Sequence, residues 1–285
     1  MRRAVTKLAN YKTLVHKATC IRKNVIESIY RAQSGHPGGS LSCAEILSCL
    51  YGEILHIDPC DPAWPHRDRF ILSKGHAAPA YYAALALAGY FPLAELSHLR
   101  QFDSILQGHP CMKKIPGVDF SSGSLGQGLS AANGMALAAK ANGDHYRVYC
   151  LVGDGELDEG QVWEAAMTSA HYRLDNLLLF IDHNGLQIDG TVSDVMDCSP
   201  IAPRFRAFGW NVLEIDGHSI PEILSAAEAA AAMPGAPTAV ICKTVKGKGV
   251  SYMENQVGWH GRAPDAEQYA AAMMELSSPE EVRWQ

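Results

Sequence analysis

Apolar positions recur at helical spacing from Leu14 to Arg31, with Val15, Cys20, Val25 and Ile29 among them, so the pattern opens on an amphipathic helix. The run Ser34-Gly35-His36-Pro37-Gly38-Gly39-Ser40 breaks it. Ser42 then reads as an N-cap, with Glu45 three residues on as its capping-box partner, for a helix reaching Tyr51. Arg69 to Ser73 predicts a short strand, and an alanine-rich helix follows from about Ala77 to Ala88. A second break, Ser121 to Gly128, precedes another alanine-rich helix that ends near Ala141. Val148 to Val152 is an apolar strand stopped by Gly153-Asp154-Gly155, and Gln161 to His171 predicts a helix. Leu177 to Ile181 is the next strand, stopped by Asp182-His183-Asn184-Gly185. Trp210 to Ile215 and Thr238 to Cys242 predict strands around a helix over Pro221 to Ala232, and Asp265 to Leu276 a terminal helix. Near-continuous apolar strands separated by helices imply a sheet covered on both faces. The fold class is therefore α/β: a three-layer, doubly wound, mostly parallel sheet.

The 285 residues allow one or two domains, at roughly 150 residues each. No repeat or low-complexity linker divides them. The expectation is one domain over residues 1–285, with a core at about 10–265 and a C-terminal helical extension at 265–285. The net charge of -6 and the lack of a basic block argue against nucleic acid as a partner. No apolar run approaches the roughly 18–20 residues of a membrane span. The eight cysteines form no C-x-x-C pair, which argues against a zinc ribbon or a thioredoxin-like site. They read as small buried hydrophobes of a reducing compartment, and with no apolar signal core near the N-terminus the expected location is cytoplasmic.

The candidate chemistry lies where strands end. Asp154 offers a carboxylate and Asn184 an amide oxygen, each just past a predicted strand. In an open parallel sheet the carboxyl ends of the strands form the ligand crevice. A divalent ion with oxygen ligands and a bound phosphate suits that pair, and the flanking glycines let the backbone come close to a diphosphate. Gly-Asp-Gly alone, or Asn-Gly alone, is a common turn; strand context and the two together favour the site. Twelve histidines are present. His16, His56, His66, His98, His145, His171 and His218 lie outside glycine-bounded motifs and read as surface or core. His36, His76, His109 and His260 each sit beside glycine in a loop.

Gly153 to Gly190 resembles the thiamine-diphosphate-binding motif. The resemblance extends through Ser34-Gly35-His36-Pro37-Gly38-Gly39, Ser73-Lys74-Gly75-His76, Gly108-His109-Pro110, Gly123-Ser124-Leu125-Gly126-Gln127-Gly128 and Trp259-His260-Gly261. These occur in the order found in transketolases. The chain, from roughly residue 10 to 265, looks like the N-terminal thiamine-diphosphate-binding (PP-type) domain of a transketolase.

The resemblance implies residue roles. Asp154 and Asn184 would ligate a metal, Mg2+ or Ca2+/Mn2+, joined by the backbone carbonyl of Leu186. Gly155 would lie against the diphosphate of thiamine diphosphate, Gly123 and Leu125 would touch the cofactor, and Ile188 would pack on it. Glu159 and Glu164 match glutamates near the cofactor and subunit interface, though a glutamate in a first helical turn also favours the helix dipole. His76 and His260 would stand nearest the reacting carbons and the cofactor, while His36 and His109 would hold substrate hydroxyls. Imidazole suits that proton traffic near neutral pH. His183 departs from the acidic or aromatic residue expected beside Asn184. Lys243 to Gly249 is not a Walker A loop; it reads either as a mobile loop over the cofactor or as a solvated basic turn.

Complete transketolase chains also carry a pyrimidine-binding domain and a C-terminal domain, and no stretch here supplies them. The resemblance thus implies the N-terminal subunit of a split transketolase. Such a subunit moves a two-carbon ketol unit from a ketose phosphate to an aldose acceptor, and works only with a C-terminal partner subunit, in an α2β2 assembly. Other readings of the same residues are a subunit of a 2-oxoacid decarboxylase or dehydrogenase, and a non-catalytic metabolite-binding or structural protein on the same fold.

Overall fold

A computed structural model describes residues 2–277. Helix α1 spans Arg2–Ala32, α2 Pro37–Leu41 and α3 Ala44–Cys49, which runs on into a wider turn over Leu50–Ile54. Strand β1 is Arg69–Leu72, helix α4 Ala78–Ala88, helix α5 Gln127–Asn142, and strand β2 Val148–Gly153. Helix α6 covers Gly160–His171 and strand β3 Leu177–His183. The short helices α7 and α8 cover Val192–Val195 and Ile201–Ala207. Strand β4 is Asn211–Asp216, helix α9 Ile220–Ala231, strand β5 Thr238–Lys243, and helix α10 Ala266–Glu275. Of the extension expected over 265–285, residues 278–285 lie outside the described residues.

The five strands form one sheet in the order β1-β2-β3-β5-β4, and every pair is parallel. Alternate side chains of a strand point to opposite faces, and two cores result. Phe70, Leu72, Tyr149, Leu151, Leu178, Phe180, Val240 and Cys242 pack under the layer of α1, α3, α4 and α9. Ile71, Val148, Cys150, Val152, Leu177, Leu179 and Ile181 pack against α5, α6 and α8. This is why the strands read as unbroken apolar runs: both faces are covered. Helix α4 is buried from Ala78 to Ala86, with alanines interleaved with the large side chains of Tyr81, Tyr82 and Leu85.

Most expected elements occur within a few residues of their sequence limits. One expectation is overturned. Ser42 does not cap α3, whose N-cap is Cys43 with no side-chain hydrogen bond. The Ser42 hydroxyl instead donates to Asp182 Oδ2 at 2.6 Å, with the Gly39 carbonyl farther off at 3.2 Å. Glu45 faces the core, where Arg22 donates two hydrogen bonds to it and His218 Nδ1 lies 3.0 Å away. Burial pushes the Glu45 pKa up, but Arg22 and then His218 outweigh it and bring it to about 2. A buried ion pair has claimed the residue that local sequence assigned to a cap. All eight cysteines are free, and five of them are buried.

Candidate active site

The site is built at the carboxyl ends of β2 and β3, which lie side by side with Gly153 level with Asp182. Asp154 directly follows β2 and is buried. Its Oδ1 accepts from the Gly155 amide at 2.9 Å and its Oδ2 from the Gly185 amide at 2.5 Å. Asn184 follows β3, and its Oδ1 accepts from the Leu186 amide at 3.2 Å. Burial, and then the nearby Asp182, push the Asp154 carboxyl above the usual carboxylate range. A cation at this corner would reverse that effect. The acceptors available there are carboxylate, amide and carbonyl oxygens, the donor set of a hard divalent ion.

Two glycine-rich segments close around this corner. Gly123 has φ +152, and a Cβ there would lie 3.1 Å from His109 Cγ. A Cβ on Gly128 would collide with that of Ser73. Only glycine lets the first turn of α5 come so close to Ser73 after β1, and the loop before it so close to His109. Glu156 fastens the arrangement. It is buried, and it accepts from the Gly126 amide at 2.9 Å, the Gly153 amide at 3.1 Å and the Ser73 hydroxyl. Ser73 in turn accepts from the Gly128 amide at 3.1 Å.

Three histidines meet in a cluster of their own. Ring centroids are 5.6 Å apart for His36 and His76, 5.5 Å for His36 and His260, and 5.1 Å for His76 and His260, the last pair stacked. Burial, then Arg100, His109 and Lys246, bring His36 down to about 4. Burial followed by Lys246 and His36 takes His260 to about 3, and burial with Lys74 holds His76 well below its ordinary value. All three rings are neutral at neutral pH. His36 Nδ1 is buried without a hydrogen-bond partner. His109 stands apart from the trio, exposed beside Gly123.

Lys246 joins the two halves. Its side chain is buried, and Nζ donates to the Leu186 carbonyl at 3.0 Å and bonds His260 Nδ1 at 2.9 Å. A solvated basic turn is therefore excluded at this lysine, though Lys243 remains exposed. Burial and then the neighbouring Lys74 lower Lys246 to about 8. An ammonium carries no acceptor lone pair, so His260 Nδ1 must accept, and the ring proton sits on Nε2.

Of the other expected residues, Gly155 is half-buried, with Gln187 Cβ 2.9 Å from where its own Cβ would stand. Leu125 is half-buried, while Glu159 and Glu164 are exposed at the start and first turns of α6. Ile188 is 62% exposed. Sequence reasoning missed Glu156, Lys74, Asp182 and Lys246. The available signal was a charged residue directly after a buried apolar strand, as in Phe70-Ile71-Leu72-Ser73-Lys74 and Phe180-Ile181-Asp182. An open crevice of about 1050 Å³ starts at His183 and Asn184 and runs over the ends of β3, β5 and β4, past Asp216, His218 and Lys243.

A parallel α/β sheet with a carboxylate and an amide at adjacent strand ends, glycine loops around them and a histidine cluster nearby defines a class: an α/β protein with a ligand site at the carboxyl ends of its strands. The family described as "Transketolase, thiamine diphosphate binding domain" matches residues 14–280. The chain belongs to this transketolase family. It is 47% identical over 263 residues to the 6-deoxy-6-sulfo-D-fructose transketolase subunit of Clostridium sp. (strain MSTE9), covering 92% of this chain and 96% of that one. It is 44% identical over 256 residues to an apulose-4-phosphate transketolase subunit of Phocaeicola vulgatus, covering 90% and 91%. The crystal structure of Campylobacter jejuni transketolase superposes with a TM-score of 0.88 at 35% identity, over 93% of this chain and 43% of that one. The chain thus has the extent of an N-terminal transketolase subunit and spans under half of a full-length transketolase. No described helix is long and apolar enough to cross a membrane.

Proposed function

We propose that this chain is the N-terminal, thiamine-diphosphate- and metal-binding subunit of a two-subunit transketolase, which transfers a two-carbon ketol group from a ketose phosphate to an aldose acceptor. The observation that carries the reading is the Lys246 bridge, which links the loop after Asn184 to the His36–His76–His260 cluster. A metal corner and a set of neutral imidazoles then face one cleft. Asp154, Asn184 and the Leu186 carbonyl would hold the ion, Mg2+ by the hardness of the donors, with Ca2+ or Mn2+ able to replace it. Gly155, Gly123, Leu125 and Ile188 would receive the diphosphate and the ring system. Thiamine diphosphate, when bound, supplies the electron sink for cleaving the bond beside a ketose carbonyl.

The protein's share is positioning and proton handling. His260, with Nδ1 occupied by Lys246, offers Nε2–H as a donor to a substrate hydroxyl. His76, neutral and stacked on His260, takes or returns a proton near the reacting carbons. His36, with Nδ1 free among the described residues, and His109 at the rim hold the remaining hydroxyls. Fixing a substrate against such groups supplies much of the catalytic advantage in this kind of chemistry. A partner carrying the pyrimidine-binding and C-terminal domains would cover the cleft, in an α2β2 assembly. Unpaired cysteines throughout fit a cytoplasmic enzyme.

The test is calorimetric titration of thiamine diphosphate into the assembled enzyme with and without Mg2+. Metal-dependent binding that is lost in Asp154→Ala supports the reading. Binding unchanged by that substitution contradicts it.

A further inference from the structure

We propose that the buried Lys74–Asp182 pair is a positioning device that fixes which end of the Asn184 side-chain amide faces the metal. This rests on the proposed role of Asn184 and adds a residue-level cause for its geometry. Asp182 is fully buried at the end of β3, and the Lys74 side chain is 1% exposed. The Asp182 carboxylate collects donors from four segments. Ser42, just after α2, donates to Oδ2 at 2.6 Å; Lys74, just after β1, donates to the same oxygen; Thr244, just after β5, donates to Oδ1. The fourth donor is Asn184 Nδ2, 3.3 Å from Oδ2.

An ionised carboxylate only accepts hydrogen bonds, so the NH2 end of Asn184 must face Asp182. On its other side the Leu186 amide, which only donates, meets Asn184 Oδ1 at 3.2 Å. Both neighbours dictate the same orientation, and the amide oxygen is left on the side of the Leu186 loop. Without Asp182 only the single Leu186 amide contact would hold that orientation, and the NH2 end would have lost the acceptor that keeps it turned away from a cation. Lys74 places a positive charge directly against the carboxylate, whose oxygens face only donors. It also donates to the Gly39 carbonyl at 2.8 Å, which fastens the His36-bearing turn, and it lies two residues before His76. One buried pair therefore sets the metal ligand and braces both histidine loops. Outer partners of metal ligands commonly change metal affinity by about 10–100-fold when removed.

The experiment measures the Mg2+ concentration that half-saturates thiamine diphosphate binding, by tryptophan fluorescence of the full chain assembled with its partner. The double variant Lys74→Met/Asp182→Leu removes both charges together and preserves volume, a replacement that folded proteins commonly accept. Thr244→Val removes a donor from the same carboxylate without touching Asn184. The double variant is expected to need at least about 10-fold more Mg2+, and Thr244→Val to stay within about twofold of wild type. A double variant with wild-type Mg2+ dependence overturns the proposal, as does an equal shift in Thr244→Val. Wild-type enzyme that binds thiamine diphosphate without any metal dependence would instead refute the proposed function itself.

Discussion

Imidazoles buried near two lysines stay unprotonated, and that gives the site a pH signature. In the unfolded chain His36 titrates near 6.5, whereas in the folded chain burial, Arg100, His109 and Lys246 bring it to about 4. Between those values the unfolded chain takes up a proton that the folded chain refuses. Stability is therefore complete above about 6.5 and declines as pH falls toward 4. Thermal melts of the apoprotein should show a falling midpoint across that window, with a shallower slope in His36→Asn; an unchanged slope would count against a buried neutral ring. Residues flanked by glycine drew attention in the sequence, and the structure sets Asp154 and Asn184 at adjacent strand ends and gathers His36, His76 and His260 into one cluster. Lys74 and Lys246 did not, because an isolated lysine in a loop ordinarily faces water. Only the assembly of β1, β2, β3 and β5 into one sheet brings their ends together and encloses them. Lys74→Met alone leaves Asp182 buried and unpaired, so it should cost about 3–5 kcal/mol in denaturant unfolding. A loss under about 1 kcal/mol would show the pair to be open to solvent.

At the scale of elements, apolar runs identified the strands, because a doubly covered strand has no polar face. Strand order was not readable: β4 pairs at the far edge and β5 returns between it and β3, and nothing local encodes that. The Ser42 expectation failed for a related reason. A serine before a helix and a glutamate three residues later match a capping box, yet Asp182 and Arg22, distant in sequence, hold these two side chains. The junction of β2 and α5 depends on Glu156 in the same long-range way. Glu156→Ala strands the amides of Gly126 and Gly153. Each buried unmet donor costs about 1–3 kcal/mol. The substitution should therefore lower the unfolding midpoint measurably and weaken thiamine diphosphate binding, with both glycine loops loosened. A variant with wild-type stability and affinity would show that Glu156 does not brace these loops.

For the molecule as a whole, extent is informative. The chain covers nearly all of two relatives named as transketolase subunits but 43% of a full-length transketolase structure. Under the two-subunit reading, the surface around Asp154, Asn184 and the histidines is this chain's share of the site, and the rest would come from a partner. The names of these two relatives give different sugars, 6-deoxy-6-sulfo-D-fructose and apulose 4-phosphate. The most direct measurement is ketol transfer by the purified chain with thiamine diphosphate and Mg2+, alone and after mixing with a second protein that carries the pyrimidine-binding domain. Transfer is expected only in the mixture. Transfer by the chain alone, at the rate of the mixture, would contradict the two-subunit reading.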